Sequence, residues 1–426
     1  MSVMLGKTAG VAVESGPTPA RSRSRNRPAR LEQRVQRPAV ILIGGEANAL
    51  SVARELGRQG IQVFGLPADD SCVRHSRYYR RLVLPVAEPG GADGRVLRYL
   101  LSEETEPLQG SVLVACSDAG LKLVAEHRDE LLKRYRLDLA HPPAQLLMLD
   151  KLSTYELARA AGVTTPRFWA VISRDDVVSL RDELVFPLMI KPRLSHVFEQ
   201  RFGRKHVIVA SFEDLIAYFN AAVDADVNVL LVEVIPGGDD LLASYFTYID
   251  EHGKALCHFT KRVIRRHPAG MGAACYHVTG DVPEIVEPSL RLLATAGVRG
   301  MANVEFKLDR RDGQYKLIEC NARFVASNAL VAKAGLRLAT FVYHRAIGED
   351  APLVTISSAR PLRLWDPLRD FAAFLQLRRA GQITLWQWLV SVMHRQHFAY
   401  FAWSDPGPTL SRLLNGLRRT LPGCKK

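Results

Sequence analysis

The chain has 426 residues, 47% of them hydrophobic and 24% charged, which is length enough for two or three packed domains with real cores and excludes a fibrous or wholly disordered class. The formal charge of +13 points to nucleic acid only until it is located: residues 1–37 hold eight basic residues against two acidic and residues 375–426 hold eight against one, so the stretch between carries no net charge and lacks the basic stripe that tracks a phosphate backbone. Six cysteines (Cys72, Cys116, Cys257, Cys275, Cys320, Cys424) form no CxxC pair, so neither a zinc site nor a disulfide framework is predicted and a reducing cytoplasm is the expected home. No uncharged apolar run reaches the roughly 18–20 residues of a bilayer span; the nearest, around Ile383 to Met393, is interrupted by Gln387. The opening residues lack a basic start leading into an apolar run, so no secretory signal is expected.

Residues 1 to about 37 are rich in Arg, Ser, Pro and Gly, and disorder is expected because they cannot bury enough surface to offset the entropy of ordering. Their RSRSRNR run reads as a solvated basic tail, with nucleic acid or membrane as the other reading. From Ala39 the pattern changes. AVILIGG is a continuous apolar run ending in glycines, ANALSVARELGRQG has helical spacing and IQVFGLP is apolar again, which makes a βαβ unit. SVLVACSD, with a helix over Ala119–Arg134, gives a second, so a small doubly wound sheet is predicted as far as about residue 145. Gly44, Gly45 and Asn48 fall where strand meets helix, a place that serves a tight turn or an anion equally.

MLDKLSTYELARAAGVTTP predicts a helix ending at Gly162 before Pro166. Strands are then predicted in FPLMIKP, KHVIVA, NVLLVEVIP, LASYFTYID, ALCHFTKRVI, GMANVEFKLD and QYKLIECN. The last two are joined by RRDG, whose Asp312-Gly313 pair signals a hairpin. From about Ala351 the pattern is helical and aromatic, with Trp365, Trp386, Trp388, Phe398, Tyr400, Phe401 and Trp403. It reads as a small packed cap, with a membrane-surface helix as the alternative.

The hairpin carries the densest chemistry. Strand residues alternate faces, so Glu305 on one strand and Glu319, Asn321 and Arg323 on the other share a side, with Cys320 and Ala322 opposite. Two carboxylates and a carboxamide are an oxygen-rich set suited to magnesium, and acids side by side repel unless a cation holds them. Val304, Phe306, Leu317 and Ile318 around them predict burial. Lys191 sits in an otherwise buried strand, where a lysine needs an anionic partner.

Taken in order, Asp150-Lys151, PLMIKP with Lys191, LLVEVIPGGDD around Glu233, NVEF with Glu305 and ECNARF with Glu319, Asn321 and Arg323 resemble the ATP-grasp superfamily over about residues 39–350. The nearest branch is the carboxylate–amine ligases, including D-aspartate-ligase-like and carbamoyl-phosphate-synthase-like members. The resemblance implies an α/β fold of mixed α+β character. A Rossmann-like pre-ATP-grasp domain would span residues 38–145, an ATP-grasp domain 146–350 with a mobile lid near 165–232, and a helical C-terminal extension 351–426, after the basic tail of 1–37. It implies ATP and Mg2+, or Mn2+ in its place, with Glu305, Glu319 and Asn321 as metal ligands. Lys151, Lys191 and Ser195 would meet the phosphates, and Glu233, Val234 and Ile235 the adenine. Asp240, in preference to Asp239, would approach the ribose. Lys261, Arg262 and Arg323 would face the reacting carboxylate and the transferred phosphate. Arg265 and Arg266 are read either as part of this site or as surface charges. The lid departs from the glycine-rich pattern, since PRLSHVFEQRFGRKH has one glycine, Gly203, leaving Ser195, His196, Arg204 and Lys205 as its donors.

The implied reaction activates a carboxylate as an acyl phosphate and couples it to an amine, chemistry that needs cations and positioning more than a covalent nucleophile. The implied partners are small-molecule acids and amines, with no specific nucleic acid, a weak membrane-surface contact through the basic tails, and a homodimer. Three rival readings are a bicarbonate-using carboxylase, a dinucleotide-binding oxidoreductase built on the Ala39–Pro67 unit without a GxGxxG, and a catalytically silent nucleotide-binding module.

Overall fold

In the computed structural model the described residues are 37–66, 71–84, 92–193, 206–350 and 361–420. The basic tail before residue 37, Ser195, His196, Arg204 and Lys205 lie outside them, as does Cys424. Three sheets follow one another along the chain.

The first has five parallel strands, β1 (Val40–Ile43), β2 (Val63–Leu66), β3 (Arg80–Arg81), β4 (Val112–Ala115) and β5 (Arg136–Leu137), in the order β3-β2-β1-β4-β5. β1 is VILI, buried at every position, as a central parallel strand covered on both faces must be. Each such side chain contributes roughly 1.5–3 kcal/mol by leaving water. The predicted helix over Ala119–Arg134 is broken in two, Asp118–Glu126 and Arg128–Leu132. Gly44, at φ +69, lies so close to the next strand–helix turn that a Cβ would fall 2.3 Å from Ser117 Oγ, and Asn48 donates to Phe324 O at 2.9 Å. These residues close a tight turn and tie the first sheet to the segment after the hairpin.

The second sheet is antiparallel, with β6 (Phe168–Ala170), β7 (Leu188–Pro192), β8 (Val207–Val209) and β9 (Val229–Glu233) in the order β6-β9-β7-β8. Leu188, Ile190, Val229 and Leu231 pack with Val177, Leu215 and Phe219 of its helices.

The third is the largest: β10 (Leu242–Ile249), β11 (Phe259–His267), β12 (Ala273–Thr279), β13 (Gly300–Asp309), β14 (Gln314–Asn321), β15 (Arg363–Trp365) and β16 (His397–Phe398), ordered β14-β13-β10-β11-β12-β15-β16. Asp312 and Gly313 turn the β13–β14 hairpin, with Gly313 at φ +72. One face packs on the helices Pro142–Leu149, Lys151–Ala160 and Val286–Ala296 through Met148, Tyr155, Leu292, Leu293, Val304 and Phe306.

The mixed α/β reading holds. Two expectations need correction. β12, AACYHVT, was not among the predicted strands, because small residues replace the apolar positions that mark one. The segment beyond residue 360 is not helical throughout: β15 and β16 extend the third sheet, with the helices Pro367–Arg379 and Leu385–Val392 between them and Gly407–Thr420 after them. Two buried ion pairs fasten this segment, Arg265 to Asp370 at 2.6 Å on the third sheet and Arg54 to Asp405 at 2.9 Å on the first.

Candidate active site

The register of the third sheet sets one row of side chains across four strands: Glu319 opposite Glu305, Glu305 opposite Ser244, and Ser244 opposite Lys261. Opposed residues share a face, and this row faces a cavity of about 520 Å³ whose lining includes Glu305, Glu319, Asn321 and Lys261. Val304, Phe306, Leu317 and Cys320 turn the other way into the core. A bulge between Glu305 and Phe306 leaves Ile318 without an opposed residue, and its carbonyl accepts both Tyr155 Oη at 3.1 Å and Lys191 Nζ at 3.3 Å.

The two hairpin acids are therefore neighbours in a low-dielectric site. Burial first, and then the charge of Glu319, push the Glu305 carboxyl above its ordinary value, while Lys261 pulls it back. Asn321 Nδ2 donates to Glu319 Oε1 at 3.3 Å. Among the described residues no three His, Cys, Asp or Glu side chains gather as a metal-holding group. Two carboxylates with a carboxamide is the sparse set that magnesium completes with waters and substrate phosphates, so the donor chemistry fits that ion.

Lys191, on β7, brings its ammonium to the same cavity. It is 7% exposed, donates to Tyr155 Oη at 2.9 Å and stands 5.3 Å from that ring's centre. Its direct partners are neutral, contrary to the expected anion. Burial pulls its pKa down to about 8, with Glu319 countering. Lys151 opens the helix Lys151–Ala160 at the cavity wall, the helix being capped by Asp150 through Leu152 N and Ser153 N. Lys261, almost wholly buried, donates to Ser244 Oγ at 2.9 Å, and burial lowers its pKa. Arg323 pairs with Asp118 at 2.6 Å, so the first sheet supplies part of the wall. Counted together, Lys151, Lys191, Lys261, Lys307, Arg266 and Arg323 line the cavity against Asp118, Glu233, Glu305 and Glu319, an excess of cations that suits a polyanion. Two buried ring nitrogens, His206 Nε2 and His277 Nδ1, have no hydrogen-bond partner among the described residues. Burial, with Lys191 adding, lowers the His206 pKa to about 4, and burial with Lys261 keeps His277 neutral.

Other predicted residues stand elsewhere. Arg262 is exposed and absent from the lining, because strand alternation turns it away from the Lys261 face. Asp240 is likewise exposed and outside the lining, while Asp239 is committed to Arg266 at 2.8 Å. Glu233, Val234 and Ile235 all line the cavity, but the Glu233 carboxylate is taken by Arg311 Nη1 at 2.8 Å and Arg167 N at 3.1 Å. Its side chain thus has protein partners already, and what the segment can offer an adenine edge is backbone. Arg265 and Arg266 are not surface charges: one is buried against Asp370, the other lines the cavity. Tyr155, Ser244, Asp118, Lys307, His206 and His277 were missed. Ser244 and Lys307 were readable from strand register and alternation; the others are brought in by tertiary packing.

The family model described as carbamoyl-phosphate synthase L chain, ATP binding domain, matches residues 279–353, the stretch that holds the acidic hairpin. D-aspartate ligase of Enterococcus faecium is 25% identical over 319 residues, covering 71% of this chain and 75% of that protein. D-alanine–D-alanine ligase of Stutzerimonas stutzeri is 25% identical over 304 residues, covering 66% and 82%. In structure, the biotin carboxylase domain of Hydrogenobacter thermophilus 2-oxoglutarate carboxylase, solved with MgADP and bicarbonate, superposes with a TM-score of 0.60 at 17% identity, over 76% of this chain and 73% of that one. This chain has the ATP-grasp fold. The likeness extends well beyond the matched hairpin, and within this fold the second sheet, carrying Lys191, and the third, carrying Glu305 and Glu319, form two walls of one cavity.

Proposed function

We propose that this chain is an ATP- and magnesium-dependent ligase that activates a small-molecule carboxylate as an acyl phosphate and couples it to an amine, forming an amide and releasing ADP and phosphate. The observation that carries the reading is the row Glu319, Glu305, Ser244 and Lys261 facing Lys191 across one cavity. Glu305, Glu319 and Asn321 would hold the metal. When bound, it supplies positive charge to the phosphate oxygens. Lys151 and Lys191 orient the phosphates, and the backbone of Glu233 to Ile235 borders the base. Lys307 steadies that stretch by donating to Ile235 O at 2.8 Å and Gly237 O at 2.9 Å. Lys261, Arg266 and Arg323 place charge where the attacking carboxylate and transferred phosphoryl group meet, so that developing negative charge is met by dipoles and cations already in position.

The curated relatives include ligases that by name act on D-aspartate or D-alanine, which supports an amino acid or a short peptide as one substrate. The test is ADP release with Mg2+ across amino acids, small peptides and sugar acids as paired acid and amine. Turnover that requires both partners supports the ligase. Turnover driven by bicarbonate alone would replace it with a carboxylase, and nucleotide binding without turnover on any pair would leave a binding module.

A further inference from the structure

Residues 371–426 contain eight Lys or Arg and a single acid, Asp405. That acid is 1% exposed, held by Arg54 and Ser76, and Asp370 just before it is fully buried. Among the described residues the exposed charge of this segment is therefore all positive, with Arg378, Arg379 and Arg395 at the surface. Within it the helix Leu385–Val392, LWQWLVSV, buries none of its residues. Trp386, Val390 and Met393 recur at the spacing of one helical face, and Trp386 and Met393 are 70% and 74% exposed. On the preceding helix, Pro367–Arg379, Leu368, Phe371 and Leu375 are exposed at the same kind of spacing. Phe371 meets Trp388, on the inward side of the second helix, with 5.8 Å between ring centres, so the two helices adjoin.

This face is held firmly from behind. Asp370 accepts from Trp388 Nε1 at 3.0 Å and from Arg265. Arg265 also donates to Ser391 Oγ at 2.9 Å, and Tyr276 Oη donates to Ser391 O at 2.7 Å. Strands β11 and β12, which line the cavity from their other residues, thus carry the helix pair.

We propose that these two helices form a docking face for an anionic lipid surface, on which the protein lies with Phe371, Trp386, Val390 and Met393 at the boundary between headgroups and acyl chains and Arg378, Arg379 and Arg395 against headgroup phosphates. No described helix is long and apolar enough to span, and an amphipathic face with basic flanks lies in the interface instead. Charge selects this occupant. Residues 1–36 carry seven basic residues against two acidic, so they do not complement the face, and a second copy would set arginines against arginines. The inference is independent of the ligase reading.

The test is co-sedimentation of the full chain with vesicles of phosphatidylcholine alone and of phosphatidylcholine mixed with phosphatidylglycerol. Binding is expected to the mixed vesicles, weakened by salt, with a blue shift of tryptophan emission. The double variant Trp386→Ser, Met393→Ser should bind about tenfold or more weakly, while Val223→Ser, exposed on the second sheet's helix, should bind as the wild type. Both variants should keep the wild-type unfolding temperature, since neither touches a buried residue. Absence of binding to mixed vesicles overturns the proposal. So does binding undiminished in the double variant, which would assign it to the basic tails, or a dimer in sedimentation velocity that the double variant dissociates, which would make the face a contact between copies.

Discussion

Replacing Lys191 by methionine separates what the lysine does for the fold from what it does for nucleotide. Burial pulls its pKa from 10.5 down to about 8, a displacement equivalent to about 3 kcal/mol of disfavoured charge at neutral pH. Methionine is of similar length and removes that cost. It also forfeits the bonds to Tyr155 Oη and Ile318 O, at about 1 kcal/mol each, while Tyr155 keeps its own bond to Ile318 O. The balance leaves stability level or raised by about 1 kcal/mol. Binding runs the other way, because an ammonium meeting phosphate in a buried site contributes about 2–3 kcal/mol. Affinity for MgADP should fall about 30- to 150-fold. The sign of the pH effect follows from the same group: the protonated lysine attracts phosphate, so wild-type affinity holds below the pKa of about 8 and weakens as pH rises through it, whereas the variant shows no such step. Calorimetric titration on either side of that pH, with thermal unfolding in parallel, reads both effects. A variant that unfolds more easily yet binds MgADP like the wild type would refute the reasoning and make Lys191 structural.

Glu319→Gln should abolish magnesium-dependent ADP release with the fold intact by circular dichroism; near-normal turnover would remove the metal assignment. Because strand alternation parts Lys261 from Arg262, Lys261→Met should lower turnover about 100-fold or more, while Arg262→Ala stays within about twofold, a contrast that steady-state kinetics reads directly. Asp370→Asn leaves Arg265 buried without its charge partner and should cost about 3–5 kcal/mol by denaturant titration; a loss below about 1 kcal/mol would show that the pair is dispensable.

Much of this architecture was legible because local and global signals agree. β1 read as a buried strand from an unbroken apolar run and β7 from one interrupted by Lys191 alone, and the Asp312-Gly313 turn fixed the hairpin on which Glu305 and Glu319 meet. What escaped reading depends on the third dimension. Arg262 and Lys261 are adjacent in sequence and only the register with Ala243 and Ser244 decides which faces the cavity. Glu233 resembled an adenine contact until Arg311 and Arg167, from other segments, claimed its carboxylate. Asp118 and His277 carry no local mark of a site, since they reach it through the docking of the first sheet and the pairing of β12.

The unpaired Ile318 has a consequence for how the hairpin tolerates change. Counting outward from the turn, Lys307 opposes Lys316 and Phe306 opposes Leu317. If the same residues paired without the bulge, the next partners would be Glu305 with Ile318 and Val304 with Glu319, which would drive the second acid into the hydrocarbon interior and present Cys320 in its stead. Parity here is set by one inserted position. Deleting Ile318 should therefore keep Glu319 opposite Glu305 in an unbulged ladder and spare divalent-ion binding, while removing the carbonyl that accepts from Tyr155 and Lys191.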